Sequence, residues 1–180
     1  MNVIGISGSL RQGSFNTMAL RAAQKLAPEG MSIEIADLAP IPLYNEDIRA
    51  AGLPESVSAL KQRIKAADAV LLVSPEFNFS VPGVMKNMLD WMSRPPEPPF
   101  DGKPVAIMGA STGILGTARM QYHMRQILVY MNTFTVNKPE VFINLAATKF
   151  DAQGQLTDAP TAQIVKDLLV SLKALKQRIG

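Results

Sequence analysis

An α/β fold, in which helices cover both faces of a parallel sheet, is what three features of this 180-residue chain predict. Short apolar runs alternate with segments whose apolar residues recur every three or four positions. The central runs are apolar throughout, as strands buried on both faces are. The first run also passes directly into a glycine-containing loop and then a helical pattern, the junction from which such folds are built.

Val3, Ile4 and Ile6 mark the first strand, and Met18, Ala22 and Leu26, four apart, the first helix. Met31 to Ala36 (MSIEIA) alternates and reads as a strand nearer the edge. Val57, Leu60, Ile64 and Ala67 trace a helix, Ala69 to Val73 (AVLLV) a buried strand, and Met85, Met88, Leu89 and Met92 the next helix. A fourth strand covers Val105 to Met108, followed by a helix carrying Met120, Met124, Ile127, Leu128 and Met131. A fifth is expected in Thr133 to Val136, and Ile164, Leu168, Leu172 and Leu175 define the closing helix. Five strands favour a doubly wound, flavodoxin-like sheet of order 2-1-3-4-5, with ligands bound beyond the carboxyl ends of the strands. The six-stranded dinucleotide fold fits less well, because Gly5, Gly8 and Gly13 do not make GxGxxG. One domain spanning residues 1–180 is expected.

The chain has no cysteine, which excludes disulfides, thiolate nucleophiles and thiolate metal sites, and with them the cysteine phosphatases. No apolar stretch approaches the roughly 18 residues of a membrane span. Met1 leads straight into the first strand with no signal segment, so a cytoplasmic protein is expected. The net charge of +3 suits anionic small molecules. Lys61, Arg63 and Lys65, and Lys173, Lys176 and Arg178, lie on helical patterns without interleaved aromatics; they read as solvated faces rather than a nucleic-acid surface. Pro95 to Phe100 (PPEPPF) reads as a stiff connector.

Three loops follow strands that the topology sets side by side. Ser7 to Thr17 (SGSLRQGSFNT) joins the first strand to a helix N-terminus, where exposed N–H groups and the helix dipole favour an anion. Gly8 and Gly13 let the backbone approach closely, Ser9, Ser14, Asn16 and Thr17 add donors, and Arg11 brings a planar cation suited to phosphate. The same residues also permit an ordinary loop with Asn16 as helix cap. Ser74 to Gly83 (SPEFNFSVPG) combines Glu76, Asn78 and Ser80 with Phe77 and Phe79, which offer flat contact to a heteroaromatic ring or pack beneath the loop. Ala110 to Thr117 (ASTGILGT) precedes the helix bearing Arg119.

Together these segments resemble the NADPH-dependent FMN reductase family, and most closely its quinone and chromate reductase branch. The similarity lies in GSLRQGSFN (Gly8 to Asn16), PEFNFSVPG (Pro75 to Gly83) and STGILGTAR (Ser111 to Arg119). It extends to LYNED (Leu43 to Asp47), KNMLDW (Lys86 to Trp91), YHMRQIL and NKPE (Asn137 to Glu140), and so covers about residues 1 to 145. It implies that Ser9, Leu10, Arg11, Gln12, Gly13, Ser14, Phe15 and Asn16 surround the phosphate and ribityl chain of a bound FMN. Pro75, Glu76, Phe77, Asn78, Phe79 and Ser111 would line its ring. It implies further a homodimer or homotetramer. Arg119 and Tyr122, three apart on one helical face, are expected at the subunit contact with Glu140 as ionic partner of Arg119, and part of the apolar surface of Met120, Met124, Ile127, Leu128 and Met131 is expected to bury there. Phe77 and Phe79 stand where tyrosines are usual, and Thr117 where glycine is common.

The expected activity is hydride transfer from NADPH or NADH through FMN to quinones, with chromate, azo or nitro compounds or free flavin as further acceptors. Such chemistry needs no strong protein acid or base, because the cofactor is the electron sink. His123 is the sole histidine, and no residue set has metal-ligand spacing. Arg119 is the charge most useful near the ring. The rival reading is a flavodoxin-type electron carrier without nicotinamide chemistry, and the positive net charge counts against it. A phosphate-binding regulatory module lacks an acceptor aspartate at the strand exits Ser7, Ser74 and Gly109, and a nucleotide triphosphatase lacks the lysine and serine or threonine of its loop.

Overall fold

The sheet is parallel in every pairing and has the order β2 (Ser32–Ala36), β1 (Asn2–Ser7), β3 (Ala69–Val73), β4 (Pro104–Ala110), β5 (Phe134–Thr135), with a sixth strand also on β4. The computed structural model describes all residues from Met1 to Gly180. In chain order the elements are β1 (Asn2–Ser7), α1 (Phe15–Leu26), β2 (Ser32–Ala36), α2 (Glu46–Ala51), α3 (Glu55–Ala66) and β3 (Ala69–Val73). They continue with α4 (Gly83–Met92), β4 (Pro104–Ala110), α5 (Ala118–Tyr130), β5 (Phe134–Thr135) and β6 (Val141–Ile143). A short 3₁₀ turn (Ala146–Thr148) and α6 (Ala159–Ile179) complete the chain.

The all-apolar strands divide their side chains between two layers, as a period of two requires. Ala69, Leu71 and Val73 of β3 pack with Leu20 of α1 and Leu168 and Leu172 of α6. Val70 and Leu72 pack on the other face with Ile64 of α3, Met88 and Trp91 of α4, and Met124 of α5. With both faces covered, ligand access is left to the strand ends.

Three expectations need correction. The fifth strand is not one run over Thr133 to Val136: β5 pairs with Pro104 and Val105 at the start of β4, and β6 with Met108 to Ala110 at its end. The intervening Asn137 to Glu140 segment carries Pro139, which has no N–H to give to a ladder. Six strands therefore fill five positions. Secondly, α2 lies in a segment to which the sequence pattern assigned no element: Asn45 caps it by accepting from the Asp47 N–H at 2.8 Å, and Glu46 and Asp47 occupy its first turn. Thirdly, Met120, Met124, Leu128 and Met131 are all buried in the chain's own core and Ile127 is half-buried, so they are not surplus surface for a subunit contact. The exposed side of α5 carries Tyr122, Val129 and Tyr130 instead.

The proline segment is tied down as a connector, with Arg49 donating to the Pro95 carbonyl at 3.2 Å and Lys61 to that of Pro96 at 2.5 Å.

Candidate active site

The first loop leaves β1 at Ser7 and enters α1 through Ser14, whose hydroxyl accepts from the Asn16 N–H at 3.2 Å. Ser14, not Asn16, is therefore the helix cap. The backbone N–H groups of Leu10, Arg11, Gln12, Gly13 and Phe15 find no acceptor within the chain, while Leu10 to Gly13 are exposed. Gly13 has φ of 65°, a conformation costly for other residues, and it turns the loop back toward the helix. Arg11 is exposed with its guanidinium 5.9 Å from the centre of the Phe15 ring. Unpaired N–H groups, a helix N-terminus and a free guanidinium make a donor set suited to a phosphate dianion.

Asn16 is placed differently from its neighbours. Its side chain is 3% exposed, donates to the Ala110 carbonyl at 2.9 Å and accepts from the Ala110 N–H at 2.8 Å. The amide thus stitches the phosphate loop to the end of β4. Thr17 meets the Ser7 hydroxyl at 3.1 Å, and so closes the base of the same loop.

Beyond β3 the chain turns sharply. Phe77 and Ser80 exchange backbone hydrogen bonds of 3.1 and 2.9 Å, with Asn78 and Phe79 at φ of 52° and 65° in the tip. That geometry pushes Phe77 and Phe79 outward, 54% and 63% exposed, and they do not pack beneath the loop. The loop is clamped onto α5 at both ends. Glu76 accepts from Arg119 Nε at 2.6 Å and from the Met120 N–H at 3.1 Å, and Ser80 meets His123 Nδ1 at 2.9 Å. The Arg119 guanidinium also lies 3.7 Å from the centre of the Phe79 ring.

The third loop is held open from behind. Asn144 donates to the Ile114 carbonyl at 3.1 Å, and the N–H groups of Leu145 and Ala146 reach the Gly113 and Ser111 carbonyls at 3.2 and 3.0 Å. Ser111 accepts from the Gly113 N–H at 3.1 Å. Between this loop and the previous one lies a cleft of about 450 Å³, lined by Glu76, Asn78, Phe79, Ser111, Ile114 and Arg119 among others. Its size and its mixture of apolar and polar groups fit a planar heteroaromatic ligand. Ile114 and Leu115, exposed on its rim, have no counterpart among the residues expected from the sequence, since nothing in a loop composition says which way an apolar side chain points.

Of the three residues expected at a subunit contact, Arg119 engages Glu76 of its own chain. Tyr122 donates to Glu140 at 3.0 Å, and Lys138 pairs with Glu140 at 3.1 Å. Lys138, and then Tyr122, hold the Glu140 carboxyl below the usual carboxylate range.

The family model for NADPH-dependent FMN reductases matches residues 1–148. The chain belongs to that family. An NAD(P)H-dependent FMN reductase of Pseudomonas aeruginosa is 52% identical over 179 residues, covering 99% of this chain and 97% of the relative. A quinone reductase of Escherichia coli K12 is 42% identical, with 99% and 97% covered. Among solved structures, FerB, a flavoenzyme NAD(P)H:(acceptor) oxidoreductase from Paracoccus denitrificans, superposes with a TM-score of 0.91 at 35% identity, over 99% of this chain and 98% of that one.

Proposed function

We propose that this chain is an FMN-dependent NAD(P)H:quinone oxidoreductase acting as one domain over residues 1–180. What carries this reading is the convergence, at one edge of the sheet, of unpaired phosphate-type donors at residues 10–13 and 15 with the flat cleft beside them. FMN, when bound, would supply the two-electron hydride chemistry that links nicotinamide and quinone. The chain's own part is to bind and orient. The N–H groups of Leu10 to Gly13 and Phe15, the Ser9 and Ser14 hydroxyls and Arg11 would hold the phosphate. Pro75 to Phe79 and Ser111 would face the ring, with Glu76 and Arg119 fixing the loop that presents Phe77 and Phe79. These apolar walls exclude water from the reacting face. The cytoplasm, with its pool of reduced nicotinamide, is the compartment this activity requires.

Two measurements on the purified protein test the reading. FMN fluorescence should quench on titration, and the visible flavin spectrum should bleach when NADPH is added anaerobically. Arg11→Ala should weaken FMN binding about tenfold to a hundredfold, since a charge-assisted hydrogen bond contributes roughly 1.5–3 kcal/mol, and should leave riboflavin binding nearly unchanged. FMN binding without bleaching would identify an electron carrier and sink the reductase. Equal FMN affinity in Arg11→Ala would remove Arg11 from the phosphate site.

We further propose a homodimer or homotetramer. Its support is the exposed stripe of Tyr122 (52%), Val129 (79%) and Tyr130 (77%) on α5, with Arg119 and Glu140 beside it. Light scattering coupled to size exclusion should give a mass at least twice the 19.5 kDa of one chain. A fully active monomer would overturn the assignment.

A further inference from the structure

A second cavity lies away from the three ligand loops, between α1, the 150–156 segment and the first turn of α6. Its volume is about 390 Å³, and it shares no residue with the ring cleft. The 150–156 segment builds one wall. A bridge pairs Phe150 with Leu156, and Asp151, the one carboxylate in that turn, is drawn into it, accepting from the Gln153 and Gln155 N–H groups at 3.0 and 2.8 Å. Gly154, with φ of 74°, lets the turn lie close on α1, where a Cβ would come within 3.1 Å of the Met18 side chain. The floor is aliphatic: Ala22 is buried, and Leu26, Leu156 and Ala162 are half-buried. The rim is cationic. Arg21 and Lys25 are exposed, line the cavity from successive turns of α1, and have no acidic residue on that helix to offset them. Arg21 takes part in none of the chain's ion pairs, and Lys25 reaches the neutral Gln155 side chain. No carboxylate lines the cavity.

We propose that this cavity binds a medium-chain fatty acid, with its carboxylate on Arg21 and Lys25 and its tail along Ala22, Leu26, Leu156 and Ala162. Two like charges one helical turn apart repel each other, and an anion lying between them turns that repulsion into attraction. The planar fork of a guanidinium receives both oxygens of a carboxylate, and the ammonium adds a third donor beside it. Charge therefore selects an acid. The apolar lining selects its body, because walls of alanine and leucine offer no aromatic face on which a flat ring would stack and suit a flexible aliphatic chain. Size limits the chain. A cavity near the small end of the range for organic ligands has room for about eight to ten carbons and not for the tails of a membrane lipid.

Calorimetric titration of the FMN-loaded protein tests this without turnover. Octanoate should bind saturably with one site per chain, and affinity should rise by up to about fourfold for each methylene added from hexanoate to decanoate, the gain from burying one CH₂. Octanol, which has the tail without the charge, should bind about tenfold more weakly than octanoate. Arg21→Gln should weaken octanoate about fivefold to tenfold, and Arg21→Gln with Lys25→Gln should bring it down to the level of octanol. Ala162→Phe, which fills the tail end of the cavity, should abolish binding of the acid and the alcohol alike. FMN affinity, read by fluorescence quenching, should be unchanged in every variant, and it reports that each has folded. The two surface substitutions keep the test decisive if Ala162→Phe does not fold. Absence of saturable octanoate binding would overturn the proposal, and so would binding undiminished in the Arg21→Gln, Lys25→Gln double variant. Cosedimentation with phosphatidylglycerol vesicles, lost in that double variant and unaccompanied by octanoate binding, would assign the two cations to a lipid surface and overturn it as well.

Discussion

Asn16→Ala is expected to lower stability by about 3–5 kcal/mol and to cost FMN affinity as well, although the side chain itself offers little to a phosphate. Ala110 is the last residue of β4, and its N–H and carbonyl point toward the side on which β3 lies. The last bond across that pair runs from the Ser74 N–H to the Met108 carbonyl, after which β3 has turned away into Pro75. Ala110 therefore has no strand beside it, and the Asn16 amide takes the missing strand's place, donating at 2.9 Å and accepting at 2.8 Å. Removing it leaves two buried backbone groups unpaired, at roughly 1–3 kcal/mol each. For a chain of this size each kcal/mol moves Tm by about 2–4 °C, so thermal unfolding should show a drop on the order of 10 °C. Asn16→Asp should suffer comparably, because a carboxylate can accept from the Ala110 N–H but sets an oxygen against the Ala110 carbonyl. A change below about 1 kcal/mol in Asn16→Ala would show that the bridge carries no weight.

The same residue shows how far the sequence could be read. A polar side chain at the start of a helix after a glycine-containing loop has three local explanations: cap, ligand donor, or neither. Composition and spacing cannot choose between them, because the partner of Asn16 lies 94 residues away at a strand end. The sheet order was legible for the opposite reason, since apolar runs and helical periodicity are local signals. The split of the last strand was not, because pairing of β6 with Met108 to Ala110 depends on where β4 ends and not on any feature of Val141 to Ile143 alone. The three ligand loops could be located from glycines, hydroxyls and aromatics. The ties that hold them, Glu76 to Arg119, Ser80 to His123 and Asn144 to Ile114, join segments 30 to 43 residues apart. Only the α5 register makes the first two possible, since Arg119 and His123 are four apart on one helical face.

The closeness of the strand ends beneath these loops predicts an unequal response at two glycines. Ser74, fully buried where β3 ends, sits between Gly8 after β1 and Gly109 in β4. A Cβ at Gly109 would lie 2.2 Å from the Ser74 carbonyl oxygen and 2.3 Å from Thr117 Oγ1. Neither can retreat easily. The carbonyl belongs to the backbone at the root of the ring loop, and Thr117 is fully buried with its hydroxyl accepting from Gln121 at 3.1 Å. A Cβ at Gly8 would instead meet the Ser74 side chain, Oγ at 2.4 Å and Cβ at 3.0 Å, and the flexible end of Met85 at 3.2 Å. Overpacking of a close-packed core typically costs about 1–3 kcal/mol and more where backbone must move, so Gly109→Ala should cost about 3–5 kcal/mol and Gly8→Ala about half as much. Trimming distinguishes the two. Ser74→Gly should restore most of the loss in Gly8→Ala, because it removes the atoms in the way, whereas Thr117→Gly should restore only a minor part in Gly109→Ala, because the carbonyl remains. Chemical denaturation of the two single and two double variants measures this directly. Full rescue of Gly109→Ala by Thr117→Gly would show that the strand ends can part without loss, and the shared root of the three loops would then not be what holds them in register.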